Sequence, residues 1–426
     1  MIQTLRNAWK VQELRNKILY TLGMLLLFRL VGVIPAPGVD ASRVLTGTAT
    51  DLPILQLVNM MTGSNFQNMT IMAMGITPYI NSSIIMQLLT IAIPALERLQ
   101  KSGPEGQKKI AQITRYVTVG LAVVQAIGLV ASLGYIKSGW FNTVLVGVSM
   151  AGGTALAMWI GERITEYGVG NGISMIIFIG ILSTAGTTIV GKFETAFTDI
   201  PNNLDELGFI LLFVVIAVVI FFAIVYVDLA ERRIPVQYAK QVRGTKMYGG
   251  QSSVIPMKIS GSGVMPLIFA YAIISFPSMI MSLVPNWSDE LEWWNNNFQN
   301  GTYGIWYILV LCVLIFAFSF FYAQIQFNPE DVSRNIQQNG GFIQGIRPGK
   351  PTAEYLSRIN KRITLFGAIF LTLVAFVPSI AFSWAGNDLV NVFSTTGILI
   401  VVSVALEFDK QLQSQILMKN YKGFLK

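Results

Sequence analysis

Side chains that commonly carry catalysis or bind metals are scarce in this sequence. It has no histidine and a single cysteine, Cys312, which argues against histidine metal sites, Ser-His-Asp triads and an internal disulfide. The stretch SGPEGQKK places glycines near lysines but lacks the G-x-x-x-x-G-K-[ST] spacing of a phosphate-binding loop, so the chain has no ATPase of that type. We therefore expect a protein that is not an enzyme and that has no metal and no cofactor.

Ionisable residues are equally rare within the apolar segments. Arg29 is the one charge clearly inside such a segment, and Glu162, Arg163 and Glu166 lie at the end of another. Arg29 either pairs with a partner or extends its side chain to the membrane interface. Because a coupled ion transporter usually binds its proton or cation through an ionisable residue in the membrane, this pattern argues against such a transporter.

Uncharged polar residues, glycine and proline interrupt several apolar segments near their middle. The clearest case is IMAMGITPYINSSIIMQLL at residues 71–89, and GVGNGIS, SGSGVMP and FSTTG repeat the pattern. Breaks of this kind are tolerated in a membrane only where protein or a water-filled cavity lines them. Any single break is explained as well by close packing between helices. Together, however, the four breaks predict a central cavity.

The elements that must position these residues are membrane-spanning helices. The chain of 426 residues is 53% hydrophobic and 12% charged, and its apolar runs are long enough to cross a hydrocarbon core of roughly 30 Å as helices. We therefore predict an all-α polytopic membrane protein with ten spans. They lie near residues 18–36, 74–94, 114–135, 141–160, 172–191, 207–227, 262–284, 305–326, 363–384 and 388–407.

The distribution of charge predicts how the chain sits in the membrane. Nearly all of its 30 Lys and Arg residues fall in the two termini and in every second connection, whereas the opposite connections hold only Arg43, Lys137 and Lys192. Because cytoplasmic segments retain positive charge, both termini are expected in the cytoplasm. Two long basic connections, residues 228–261 and 327–362, lie on that side. They serve either as topology anchors or as a docking surface, and the first alternates like a hairpin around residues 248–250.

Several long stretches of the sequence are distinctive. They are ERRIPVQYAKQVRGTKMYGGQS, FNPEDVSRNIQQNGGFIQGIRPGKPTAEYLSRINKRITLFGAIF and LMKNYKGFL, with MAMGITPYINSSIIMQLL, QKKIAQITRY, GERITEYGVGNGIS and GVMPLIFAYAIISFP in support. Together they resemble the SecY family, the central subunits of bacterial protein-conducting channels. It implies two pseudo-symmetric five-helix halves, residues 1–191 and 192–426, around an hourglass pore. It also implies that unfolded polypeptides pass through this pore and that hydrophobic segments leave it sideways into the membrane.

The same resemblance implies roles for particular residues of this chain. A plug segment is expected at about residues 57–72, although this chain has MTGSNFQ where the family often has a glycine cluster. The expected pore ring consists of Ile76, Ile80, Ile173, Ile177, Ile268 and Ile400. The expected lateral-gate residues are Asn81, Gln125 and Phe276. The expected contacts for SecA or the ribosome are Lys240, Arg243, Lys246 and Arg347. An apolar ring of β-branched side chains closes a pore by dewetting and yields around a peptide without reading its sequence.

The implied partners are the SecE and SecG membrane subunits, the SecA ATPase, the ribosome, signal-bearing precursor proteins and membrane lipids. The implied location is the cytoplasmic membrane of a bacterium. Two other hypotheses remain open from the residues alone. Broken helices also occur in secondary transporters of small polar solutes, and a subunit that only scaffolds other membrane proteins would share the composition.

Overall fold

A computed structural model describes residues 2–40, 59, 61–132, 139–198, 204–238, 241–243, 246–248, 252–259, 265–283, 293–294, 305–384 and 395–423. The helices, in chain order, are α1 (Ile2–Lys10), α2 (Gln12–Val31), α3 (Thr77–Ala92), α4 (Pro94–Lys101), α5 (Pro104–Ser132), α6 (Trp140–Tyr167), α7 (Gly172–Thr198), α8 (Leu204–Leu229), α9 (Met265–Leu283), α10 (Ile305–Gln326), α11 (Pro329–Gln338), α12 (Lys350–Trp384) and α13 (Thr395–Gly423). The strands are β1 (Glu231–Tyr238), β2 (Gln241–Arg243), β3 (Lys246–Tyr248), β4 (Ser252–Lys258) and β5 (Gly341–Phe342).

Each of the ten predicted spans overlaps a helix, which confirms the helical membrane class. Within the described ranges, four helical stretches are by themselves long and apolar enough to cross a membrane, and the bent pair α3–α4 makes a fifth. Three shorter apolar helices belong to α7, α8 and α9. The count of ten crossings therefore stays a prediction. Large apolar side chains remain exposed along α2 and α8, for example Leu26 and Phe222, as expected of surfaces that face lipid.

The helices form a first part, α1–α7, and a second part, α8–α13, and the helices within each part pack on one another. α5 contacts both α3 and α6, while α10 contacts both α9 and α12. The two parts meet where α5 contacts α9, where α7 contacts α8 and α13, and where α1 contacts α13. The division into two halves at residue 191 stays a prediction, and these contacts are among the places where such halves would join.

The polar break at the start of α3 turns the chain sharply. Gly75 has a φ of +51°, a left-handed conformation that glycine adopts without strain. Pro78 lies in the first helical turn, where its missing N–H is not needed. A Cβ atom on Gly75 would lie only 2.8 Å from Thr62 Cγ2, so the preceding segment packs closely against this turn.

α3 ends at a second turn, and α4 leaves it at an angle of 101°. Ile93, the residue between the two helices, has an extended backbone with φ −108° and ψ 110°. The cause is Pro94, because proline disfavours the helical conformation in the residue before it. The apolar helix α3 thus gives way abruptly to the polar helix α4.

A small sheet forms outside the helices, in the two long basic connections. β1 pairs antiparallel with β4 and with β5, while β2 pairs with β3. The hairpin expected around residues 248–250 is centred earlier in the chain, since the innermost described pair is Arg243 with Lys246. The sheet packs on α11 and α12 through Ile234, Val236, Met257, Ile336, Ile343 and Leu356.

Candidate pore and lateral gate

A cavity of about 510 Å³ lies between the two parts of the chain, lined by side chains from α3, α7, α9, α10 and α13. Five of the six isoleucines expected in the pore ring line it, namely Ile80, Ile173, Ile177, Ile268 and Ile400. Ile76 does not line the cavity; it is buried one helical turn before Ile80, in the same apolar cluster. The structure thus brings all six near one another, while their role as a ring stays a prediction.

The break at GVGNGIS sets the position of two of these isoleucines. Gly170 has a φ of +90°. The side-chain oxygen of Asn171 accepts hydrogen bonds from the backbone N–H groups of Ile173 and Ser174, at 3.1 and 3.4 Å, as an N-cap residue does. A Cβ atom on Gly172 would lie 1.9 Å from the carbonyl oxygen of Gly161, so α7 starts in direct backbone contact with α6. The polar break therefore fixes where α7 begins.

Polar and charged side chains line the part of the cavity nearest the sheet. Asp228 is in the last turn of α8, and Lys258 is the last residue of β4. Glu407 and Lys410 lie on α13. The ammonium of Lys410 donates a hydrogen bond of 3.4 Å to the backbone carbonyl of Asp228. Sequence reasoning missed these residues. Asp228, Glu407 and Lys410 follow apolar runs in the sequence, which was the available signal, but many interfacial charges share that position.

The predicted plug segment is described at Asn59 and at residues 61–72; residues 57, 58 and 60 lie outside the described chain. The side-chain oxygen of Asn59 accepts the N–H of Gln67 at 2.9 Å, and its carbonyl accepts the N–H of Ser64 at 2.9 Å. The segment also joins the end of α2, since the N–H of Ile71 donates to the carbonyl of Ile34. It contributes Met61 and Met72 to the apolar cluster that holds the isoleucines.

The residues expected at the lateral gate lie on helices that contact one another. Asn81 is buried on α3 and Gln125 on α5, and the Nε2 of Gln125 has no hydrogen-bond partner in the part of the chain that the structure describes. Phe276 lies on α9, which packs against α5. The structure does not describe the side chain of Phe276. Their gating role stays a prediction.

Sequence reasoning missed one bond between the two parts of the chain. The hydroxyl of Tyr322 on α10 donates to Oε1 of Gln87 on α3 at 3.3 Å. The Tyr322 ring stacks edge-on against Phe269 of α9, with centroids 5.2 Å apart. The two bonded residues are separated by 235 positions in the sequence, and no local pattern links them.

The expected docking residues lie in and around the sheet. Arg347 is exposed in the turn between β5 and α12, and its carbonyl accepts a hydrogen bond of 2.8 Å from the Thr352 hydroxyl. Arg243 and Lys246 are backbone partners between β2 and β3, and Lys240 lies outside the described residues. Their contacts with partners stay a prediction.

The fold and the cavity together define a helical membrane protein of the channel class. Isoleucines line part of the cavity between the two groups of helices, and charged side chains line another part. The residues that the structure describes contain no cluster of metal-ligating side chains. A cavity with an apolar lining beside a polar one suits passage of a chain.

The particular family follows from comparison with known proteins. A family model described as SecY matches residues 70–408. The protein translocase subunit SecY of Streptomyces scabiei is 41% identical over 446 residues and covers 100% of both chains. Its namesake in Corynebacterium glutamicum is 40% identical and covers 98% of this chain and 99% of its own. The chain belongs to the SecY family.

Solved structures of low sequence identity share the fold. A protein-conducting channel has a TM-score of 0.68 at 19% identity and covers 93% of this chain and 91% of its own. A SecY protein whose plug domain is described as stabilising the closed state and maintaining a membrane seal has a TM-score of 0.67 at 18% identity, with the same coverage. The Sec61 channel in a canine ribosome complex has a TM-score of 0.66 at 17% identity, again covering 93% and 91%.

Proposed function

We propose that this chain is the central subunit of a protein-conducting channel. It passes unfolded secretory polypeptides across the cytoplasmic membrane of a bacterium and releases hydrophobic segments sideways into lipid. The observation that carries the proposal is that isoleucines from four helices of both parts of the chain line one cavity, at positions expected from family membership. The driving force comes from outside the chain, from the SecA ATPase or from a ribosome.

The closed channel keeps its seal through apolar side chains. Ile80, Ile177 and their neighbours hold water out of the neck because a narrow apolar constriction dewets. Segment 61–72 fills the space beside them, in the way that the plug of the solved SecY relative is described as maintaining a seal. A peptide then passes by displacing side chains that make no specific contacts with it.

The cytoplasmic face carries the partners. The sheet and the turn at Arg347 form a basic surface, with both chain termini on the same side, that binds SecA and the ribosome. The Sec61 channel solved in a canine ribosome complex, which shares this fold, supports a ribosome partnership. The exposed apolar faces of α2 and α8 meet lipid and the SecE and SecG subunits.

Crosslinking in reconstituted vesicles tests this proposal. The chain, together with candidate SecE and SecG, is given SecA, ATP and a signal-bearing precursor whose folded tag jams it part-way. Photoreactive residues replace Ile80 and Ile268. The matched control position is Leu182, which lies on α7 and is exposed. Crosslinks from the two isoleucines that require SecA and ATP, with none from Leu182, are expected. Their absence with competent SecA would reject the proposal, and uptake of a small solute without any motor would establish a transporter instead.

A further inference from the structure

Arg29 joins three separate pieces of the fold. It lies near the end of α2 and is partly buried. Its Nη1 donates a hydrogen bond of 2.9 Å to the carbonyl oxygen of Gly63, and its Nη2 donates to the hydroxyl of Ser183. Gly63 belongs to the plug segment and Ser183 to α7. The sequence left open whether Arg29 pairs with a partner or extends to the membrane interface. In the structure, its guanidinium has partners within the protein.

The contact surface around Arg29 is closely fitted. Gly63 has a φ of +73°, and a Cβ atom there would lie 2.2 Å from Arg29 Nη1, so a larger residue would force the guanidinium to shift. Beside it, the hydroxyl oxygens of Ser64 and Thr184 are 3.4 Å apart, a second polar contact between the plug segment and α7. Polar contacts therefore hold this end of the segment, in contrast to its apolar end at Met72.

The loss of these hydrogen-bond partners would be unfavourable for the partly buried guanidinium of Arg29. It cannot lose its charge in a protein, and a charged group among apolar helices is costly unless it is hydrogen-bonded. When the plug segment leaves, Nη1 loses the Gly63 carbonyl and must find water or another acceptor. The segment is consequently held in one defined place or released from it, with few stable intermediates.

We propose that Arg29 is the latch that fastens the plug segment to α2 and α7 in the closed channel. The latch must release the Gly63 carbonyl before a polypeptide can pass. This inference rests on the proposed function, and it assigns to a single charged residue the regulation of the closed state. Ser183 is a positioning residue, because it orients the guanidinium toward the plug segment.

A disulfide trap measures how long the segment stays docked. In a Cys312→Ser background, Ser64→Cys and Thr184→Cys place two thiols where hydroxyls now lie 3.4 Å apart, within reach of a disulfide. Arg29→Met is expected to slow disulfide formation about tenfold, the size of effect expected when a hydrogen bond to a charged group is lost, and to raise dye leakage from vesicles. Arg163→Met is the matched control, since Arg163 pairs with Glu166 at the far end of α6.

Two further variants guard against a general loss of folding. Ser183→Ala keeps the helix and removes one acceptor of Arg29, so a slowing of about threefold is expected. Arg29→Lys restores a single charged donor and should recover part of the wild-type rate. The comparison uses the variants that can be extracted as folded protein. Equal trapping rates in the wild type, Arg29→Met and Ser183→Ala would overturn the latch.

Translocation assays separate failure of the latch from failure of the channel. The oxidised trap is expected to block precursor transport, and a reductant should restore it. Transport that continues through the oxidised trap would overturn the requirement for release. If even the reduced wild-type chain carries no precursor with SecA and ATP, the proposed function fails, while the trapping rates still report whether Arg29 holds the segment.

Discussion

The backbone of Gly180 touches the backbone of Met61, since a Cβ atom on Gly180 would lie 2.3 Å from the carbonyl oxygen of Met61. No side chain separates α7 from the plug segment at this point. Gly186, less than two turns further along α7, would meet nothing within 4 Å. The two glycines therefore have different roles: the first allows the plug segment to dock, and the second faces open space.

Gly180→Ala should push the plug segment away from α7. The added methyl group meets backbone that cannot rotate aside, and overpacking of this kind typically costs about 1–3 kcal/mol. We expect a lower melting temperature in detergent and increased dye leakage from vesicles. Gly186→Ala, with free space around it, should match the wild type in both measurements. Equal behaviour of the two variants would contradict the docked position of the plug segment.

Tyr322→Phe should make the two parts of the chain separate more easily. It removes the hydroxyl that donates to Gln87 but keeps the ring that stacks on Phe269. Loss of one such bond is worth about 0.5–1.5 kcal/mol, so precursors with defective signal sequences should be transported several-fold faster. Tyr116→Phe, at a tyrosine 78% exposed on α5, is the control. Unchanged selectivity for signal sequences in Tyr322→Phe would show that this bond does not hold the gate.

Ile177→Ala and Ile181→Ala should behave differently although they lie one turn apart on α7. Ile177 lines the cavity, whereas Ile181 is 1% exposed in the packed cluster and does not line it. Truncation of a packed isoleucine typically costs about 2–5 kcal/mol. We therefore expect Ile181→Ala to lower the melting temperature without leakage, and Ile177→Ala to leak with a smaller loss of stability. Leakage from Ile181→Ala alone would place the constriction elsewhere.

The sequence allowed the helices to be predicted because length and apolar composition are local properties. The bend after Ile93 was also within reach, since Pro94 restricts the residue before it. The isoleucine ring was not accessible in the same way. Ile80 and Ile177 look like any lipid-facing isoleucine, and they were singled out through family resemblance alone.

The polar contacts between distant segments were not predictable. Arg29 bonds to Gly63 and Ser183, which are 34 and 154 residues away. The sequence showed that a charge in an apolar helix needs a partner, but several loops offered acceptors. Which acceptor is used depends on the tertiary arrangement that brings α7 and the plug segment to the end of α2.

Arg347→Glu should weaken binding of the SecA motor without disturbing the channel. Arg347 is exposed, and within the described residues only its backbone carbonyl is hydrogen-bonded, to Thr352, so replacing the side chain should leave the turn intact. Reversing its charge should reduce SecA-dependent transport several-fold at low salt and leave the melting temperature and leakage unchanged. Because exposed charges are screened over about 8 Å at physiological ionic strength, the difference from wild type should shrink as salt is added.

Lys17→Glu, at an exposed lysine near the start of α2, makes the same charge change away from the sheet and should transport normally. Equal losses in both variants would mean that net charge matters and that Arg347 makes no specific contact.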